Sequence, residues 1–367
     1  MPGGTVVVTG VKFSNGSRVQ NRNIGMHVHE FGDLTDFNCS NAGRHWNPSG
    51  SKHGGKNSGV RHIGDLGNVW VNKYSVANVH STLHSTSLPL DGVYGITGRM
   101  LVFHENPDDL GLSQSHISLL NGNSGAPVSC GVIGISSDDG NTWEPGNGKF
   151  HKSPVISKIY KEATAVLTSP QNTVLSFGTV KFIQQPGTKV MHVIGNLHSF
   201  DPTNSTSVHR GIAIYQLGDL TQNNCIAGGD YYNSVGPNQV LHKYETEANR
   251  LASHGYLGQI YIDSNGSAVV DFRVESNNLP LTGPFTIVGR LFVVYEEHHG
   301  IGSGVHRSFS NEFNAKSVRH PIACGVIGIS SSYSYAESSK KAQHNTCSIA
   351  CASFLMSLII VIFLPLF

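Results

Sequence analysis

CGVIGISS, residues 130–137, recurs letter for letter as residues 324–331. An identity of that length within one chain marks an internal repeat, and a repeat decides the fold before any single segment does. Outward from it, TGRMLVFHE (97–105) returns as VGRLFVVYEE (288–297), and FGDLTDFNCSNAG (31–43) as LGDLTQNNCIAGG (217–229). Order and spacing are nearly kept, so the chain carries two copies of one domain. Between them SDDGNTWEPGNGKFHKSPVISKIYKE (137–162) is rich in Gly, Pro, Asn and charge and reads as a linker.

Within each copy the patterned segments are short, β-branched and alternating. The first has VVVTGVKF, NVWVN and MLVFHE; the second has GTVKFIQ, KVMHVIGNL, SAVVDFRVE and FTIVGRLFVVYEE. Gly, Asn and Pro punctuate them, and no stretch before the C-terminal tail keeps a helical period. That predicts an all-β fold, an antiparallel sandwich or barrel with long loops. The second copy places ATAVL and SFGTVKFIQ ahead of KVMHVIGNL, whereas the first begins with the counterpart of that third segment, GTVVVTGVKF. Two opening strands are therefore expected to be missing from the first domain. An open barrel would expose unpaired edges, so the start of the chain reads as incomplete.

Composition narrows the function. The formal net charge is +1 and only 13% of residues are charged, so no basic excess exists to drive binding to a phosphate backbone. No nucleic-acid partner is expected. From Ser348 to Phe367 the sequence is apolar or small, after the polar stretch 332–347. This order resembles a lipid-anchor signal of the glycosylphosphatidylinositol (GPI) type, the alternative being a C-terminal transmembrane helix. Either one predicts attachment at the extracellular face of the plasma membrane. Candidate glycosylation sites at Asn15, Asn38, Asn204 and Asn265 agree with an exterior location, although PGGTVVVTG after Met1 is not a signal peptide. Cys39, Cys130, Cys225 and Cys324 divide two per copy, which in an oxidising compartment suggests one disulfide in each.

The chain has 20 His, and in the first copy they cluster as His27-Val-His29, His45, His53, His62 with Asp65, and His104. Residues i and i+2 of a strand share a face, so His27 and His29 can reach one metal ion while Val28 turns to the core. The loop from Cys39 to Asp65 is crowded with Gly, Asn, Ser and Pro, and a metal plus a disulfide can order it. Three imidazoles and a carboxylate suit tetrahedral zinc; an all-imidazole set with an open position suits redox copper.

GMHVHEFGD (25–33), HWNPSGSKHGG (45–55), RHIGDLGN (61–68), LVFHENPDDLG (101–111) and CGVIGIS (130–136) together resemble the copper/zinc superoxide dismutase family, over nearly all of residues 5–136. The resemblance implies two tandem Greek-key barrels and dismutation of superoxide to dioxygen and hydrogen peroxide. It implies copper on His27, His29, His45 and His104, and zinc on His45, His53, His62 and Asp65, so that His45 bridges. These copper ligands would be the catalytic residues. It further implies Asp108 as the carboxylate behind both ligand sets, and a Cys39–Cys130 disulfide with Cys225–Cys324 as its second-copy equivalent. One departure stands out: where the family carries an Arg at the mouth of the copper channel, this chain has Pro127. The loop 105–129 holds no Lys or Arg, so electrostatic guidance and activity are expected to be reduced. Arg44, Lys52, Lys56 and Arg61 are the candidate substitutes.

In the second copy the ligand positions become Ala213 (for His27), Tyr215 (His29), Tyr231 (His45), Ser253 (His62), Tyr256 (Asp65) and Tyr295 (His104), with Gln239 near the place of His53. No metal set survives, and this copy reads as a degenerate barrel. The family pairs subunits through the segment matching GVIGIS, which both copies keep, so an intramolecular pseudo-dimer is expected. The divisions are thus 1–136, linker 137–162, 163–331, spacer 332–347 and anchor signal 348–367. The rival to a dismutase is a non-enzymatic copper/zinc-binding or cell-surface interaction protein.

Overall fold

The computed structural model describes residues 4–13, 19–36, 38–83, 88–90, 92, 94–113, 115–135, 160–171, 175–184, 188–201, 209–220, 225–229, 231–233, 254–283, 285–296, 320–332 and 364–365. The described elements are almost all strands. In the first repeat these are β1 (Gly4–Lys12), β2 (Arg22–His29), β3 (Asp65–Val71), β4 (Val76–Leu83), β5 (Met100–His104) and β6 (Pro127–Val132). In the second they are β7 (Tyr160–Thr168), β8 (Ser176–Gln184), β9 (Val190–Leu197), β10 (His209–Ile214), β11 (Tyr256–Tyr261), β12 (Ala268–Glu275), β13 (Leu291–Tyr295), β14 (Pro321–Val326) and β15 (Gly328–Ser332), followed in the tail by β16 (Leu364–Pro365).

Two sheets result, with strand orders β1-β4-β3-β2-β5-β6-β16 and β11-β10-β13-β14-β7-β8-β9-β12, β15 also pairing with β7. Aligning the orders pairs β1 with β9, β2 with β10, β3 with β11, β4 with β12, β5 with β13 and β6 with β14. Strands β7 and β8 have no counterpart among the described residues of the first sheet, as the spacing predicted. In the second sheet β7 lies on the outer edge of β14 through Thr168↔Cys324; in the first, the equivalent edge of β6 meets Leu364 at Cys130. These two tail residues thus lie on a strand edge, while the rest of the expected anchor signal falls outside the described residues. Among described residues no helix is long and apolar enough to cross a membrane.

Alternation supplies the cores. Along β3 Trp70 is exposed while Leu66, Val69 and Val71 are buried, and these three join Ile24, Met26, Val28, Leu101 and Phe103 in the first core. The second core gathers Val180, Phe182, Val193, Ile212, Phe292 and Val294. Two details differ from expectation. Strand β7 begins at Tyr160, inside the stretch read as linker, because TAVL extends backward with period-two residues; positions 137–159 lie outside the described residues. A short helix, α1 (His116–Asn121), also forms, because the Ser115 side chain accepts from Ser118 N and Gly122 closes it at φ 70°. Six residues are too few to print a helical period on the sequence.

Both disulfides form, Cys39–Cys130 and Cys225–Cys324. Backbone hydrogen bonds also join the repeats: Gly32 N to Ile329 O (2.8 Å), Ile329 N to Gly98 O (2.8 Å), Gly218 N to Ile135 O (2.7 Å) and Ile135 N to Gly289 O (2.8 Å). Asn38 and Asn265 are exposed, whereas Asn15 and Asn204 lie outside the described residues.

Candidate metal centre

Strand β2 ends in His27 and His29, both buried, with Val28 between them in the core. Three backbone bonds stitch the flanking loop to that strand: Trp46 N to Val28 O (2.8 Å), Val28 N to Gly64 O (2.9 Å) and Gly64 N to Trp46 O (2.9 Å). They set His45 opposite His29 as an isolated bridge and bring the His62–Asp65 turn alongside. His104 closes β5, the neighbour of β2. The Gly-rich loop is thereby ordered by the backbone of the strand it crosses.

Two groups of ligand atoms emerge, each within 4.8 Å: His27, His29, His45 and His104; and His27, His45, His53 and Asp65. His62 joins the second, because Asp65 Oδ1 stands 3.0 Å from His45 Nδ1, 2.9 Å from His53 Nδ1 and 3.1 Å from His62 Nδ1. The other oxygen, Oδ2, accepts from Gly54 N (3.0 Å) and His62 N (2.8 Å), which fixes the carboxylate.

Most rings have one nitrogen held from behind, leaving the other to face inward. His29 Nδ1 donates to Gly43 O and His104 Nδ1 to Gly125 O, each at 3.0 Å, and the two Nε2 atoms face each other at 3.3 Å. His27 Nε2 donates to Asp108 Oδ2 (3.0 Å) and His53 Nε2 to Asp108 Oδ1 (2.7 Å), so Asp108 links the two groups. His27 Nδ1 and His45 Nε2 are buried without a hydrogen-bond partner. A buried polar atom left without a partner is costly. Nitrogens aimed inward, with their opposite nitrogens on carbonyl or carboxylate oxygens, are the pattern of metal-binding imidazoles. The donors therefore fit one ion in each group, with His45 facing both.

Electrostatics agree. Burial, then the charge of His45, holds His27 down to about 3 against the pull of Asp108. Burial likewise lowers His104 to about 4 and His29 well below its usual value. These rings are neutral near pH 7, the state in which imidazole binds metal. At His53 burial is outweighed by Asp108 and Asp65, which lift it to about 9. Hydrogen bonds from the histidines overcome burial and hold Asp65 and Asp108 well below the usual carboxylate range.

The sequence reading did not single out several supports. Asn68 brackets Asp108, accepting from its N–H (2.7 Å) and donating to its carbonyl (2.8 Å). Gly122 is required at φ 70°, because a Cβ there would strike Asp108 Oδ1. The Arg99 guanidinium lies 3.3 Å over Trp46, the neighbour of His45, and donates to Glu30 O. Its signal was visible: the Gly-Arg pair returns as Gly289-Arg290 even though the ligands do not.

Of the proposed substitute cations, Arg44, Lys52 and Lys56 are exposed, while Arg61 is tied to the carbonyls of His62, Ile63 and Asp65 at 2.6, 3.0 and 3.3 Å. Pro127 stands in register with His104, and Pro321 with Tyr295 in the second repeat. There the ligand positions are filled by Ala213, Tyr215, Tyr231, Tyr256 and Tyr295; Ser253 and Gln239 fall outside the described residues.

Comparison with known proteins gives the same reading. A family model described as copper/zinc superoxide dismutase matches residues 3–133 and again 176–327. The superoxide dismutase [Cu-Zn] of Schizosaccharomyces pombe is 45% identical over 112 residues, 30% of this chain and 71% of its own. That of Paramecium bursaria Chlorella virus 1 is 44% identical over 119 residues, 32% of this chain, and this chain spans 62% of its length. The extracellular superoxide dismutase [Cu-Zn] of Onchocerca volvulus is 44% identical over 116 residues, 31% of this chain and 56% of its own. With both repeats matched, and the first holding clustered imidazoles where the family uses copper and zinc, the chain belongs to the copper/zinc superoxide dismutase family.

Proposed function

We propose that the first repeat dismutates superoxide to dioxygen and hydrogen peroxide, with copper held by His27, His29, His45 and His104 and zinc by His45, His53, His62 and Asp65. The observation that carries this is the pair of buried, inward-facing nitrogens, His27 Nδ1 and His45 Nε2, within rings whose surroundings are otherwise arranged. When bound, copper supplies one-electron exchange with superoxide and zinc holds the shared ring. The chain does the rest. Gly43, Gly125 and Asp108 fix which nitrogen of His29, His104 and His27 faces the ion. His45 Nε2 is the atom that can take up a proton and pass it to the reduced oxygen, since its Nδ1 is kept beside Asp65. Two protons consumed with two superoxide ions balance the peroxide formed.

The test is elemental analysis and a dismutation assay on the full chain loaded with copper and zinc. Filling of both sites is expected, with activity above that of free copper, and His104→Gln removes it along with the copper. A filled but inactive chain supports the second reading, a non-enzymatic metal-binding protein. That reading draws on Pro127, the loop 105–129 without Lys or Arg, and the exposed Leu112, Ile117 and Leu120 beside the site.

We further read residues 1–136 and 163–331 as two domains paired as an intramolecular pseudo-dimer. The support is symmetry: Gly32, Gly98 and Ile135 correspond by repeat to Gly218, Gly289 and Ile329, so the connecting hydrogen bonds form two equivalent pairs. Close approach explains the glycines. A Cβ at Gly134 would strike Gly218 O, and one at Gly328 would strike Gly32 O. Extracellular placement rests on the two disulfides, and attachment through a GPI anchor or a transmembrane helix rests on the composition of 348–367. Release from cells by a phosphatidylinositol-specific phospholipase distinguishes these two attachments.

A further inference from the structure

The corner of the second repeat that matches the metal centre is filled with phenols. Strand β10 runs into Tyr215, β13 ends on Tyr295 and β11 begins with Tyr256; the bridge Tyr215↔Tyr231 repeats His29↔His45. In the first repeat the rings of His29, His45 and His104 form a triangle with sides of 5.0, 5.3 and 6.0 Å. Tyr215, Tyr231 and Tyr295 form the same triangle with sides of 6.0, 6.2 and 6.5 Å, wider as the larger rings require. All three are buried, and Tyr256, 6.0 Å from Tyr231, is partly exposed at the margin.

The phenols also act on one another. Burial, then the neighbouring Tyr215 and Tyr231, pushes the Tyr295 phenol well above its usual range, at the place corresponding to the first repeat's all-imidazole group. Their surroundings are apolar: Ala213, Leu291, Val293 and the Cys225–Cys324 disulfide. Phenolate is a hard, anionic oxygen donor and matches hard, highly charged cations, unlike the imidazoles it replaces. Charge and valence match. Three phenolates around one trivalent ion give a filled site of zero net charge, whereas a divalent ion is balanced by two and leaves the third phenol protonated.

We propose that Tyr215, Tyr231 and Tyr295 form a second metal site, for a hard trivalent cation, ferric iron in biological settings, with Tyr256 at its entrance. Three O–H bonds break, three iron–oxygen bonds form and three protons pass to solvent; the iron stays ferric, so no reductant or oxidant is involved. Without the cation, burial keeps the Tyr295 phenol protonated. Every residue of this site lies in the second repeat, so it is independent of dismutation by the first.

The test uses the full chain with its histidine sites already loaded with copper and zinc, titrated with ferric nitrilotriacetate. A visible phenolate-to-iron charge-transfer band is expected, saturating at one iron per chain. Tyr295→Phe loses it, while Tyr74→Phe, at an exposed tyrosine of the first repeat, retains it. Tyr215→Phe and Tyr231→Phe are read on the same band, so the outcome does not hang on one variant's folding. Two results overturn the proposal: no band and no bound iron in the native chain, which makes the phenols a buried aromatic core; or a band unchanged by all three substitutions, which puts the iron elsewhere.

Discussion

The two repeats share a strand plan, a disulfide, a buried Arg after Gly and the segment GVIGIS, yet one ends its strands on imidazoles and the other on phenols. The barrel therefore needs its alternating inward residues and its Gly-Arg corner, and it tolerates exchange of every ligand. Arg290 shows this directly: it lies 4.9 Å over Tyr232, as Arg99 lies over Trp46, although Tyr231 stands before Tyr232 where His45 stands before Trp46. Strand ends carry the chemistry because they project into loops, where a side chain can change without disturbing the ladder.

The largest contrast is expected in metal-free chain as pH falls. His27, His29 and His104 have folded pKa values below 6.5, so the unfolded state binds more protons below that value. Their contribution is present above pH 6.5 and is lost on acidification, towards about 4 for His104 and about 3 for His27, each at up to about 1.4 kcal/mol per pH unit. His53 acts the other way, losing its contribution as pH rises from 6.5 to about 9. The second repeat has Ala213 and tyrosines in these places instead of imidazoles. Calorimetry of chelator-treated chain should show one transition that collapses across this acid window beside one that does not; two transitions moving in parallel would break the comparison.

Next in size is Asp108→Ala, which removes the carboxylate joining His27 to His53. Zinc affinity is expected to fall about 10–100-fold by competition with a chromogenic chelator. An unchanged affinity would mean that Asp65 alone orders the site. Gly134→Val forces a side chain against Gly218 O and should cost about 1–3 kcal/mol of the contact between repeats. Small-angle scattering would then show a longer particle; an unaltered profile sinks the paired arrangement. The smallest effect is on steering: Pro127→Arg should raise dismutation several-fold and make it fall with ionic strength, whereas Pro321→Arg should leave it unchanged. Indifference to both, in fully metallated chain, points to the non-enzymatic reading.

Much of the site was legible in the sequence because its pieces are local. His27-Val-His29 needs only the two-residue period of a strand, and RHIGDLGN already contains His62, Asp65 and the Asn68 that brackets Asp108. Arg99 was missed because its partners, the Glu30 carbonyl and Trp46, lie far along the chain. Helix α1 escaped because it depends on its caps, and the anchoring of Arg61 was not legible because the carbonyls that hold it come from a folded turn.

The sequence by itself determined that there are two copies, which of them keeps the ligands, and that no cation lies in the loop 105–129, because identity and periodicity are properties of the chain alone. Tertiary structure decided which nitrogen of each histidine faces inward, that Asp108 spans both groups, and that three phenols converge in the second repeat. Those outcomes depend on hydrogen bonds between residues tens of positions apart, whose geometry exists only once the strands have paired.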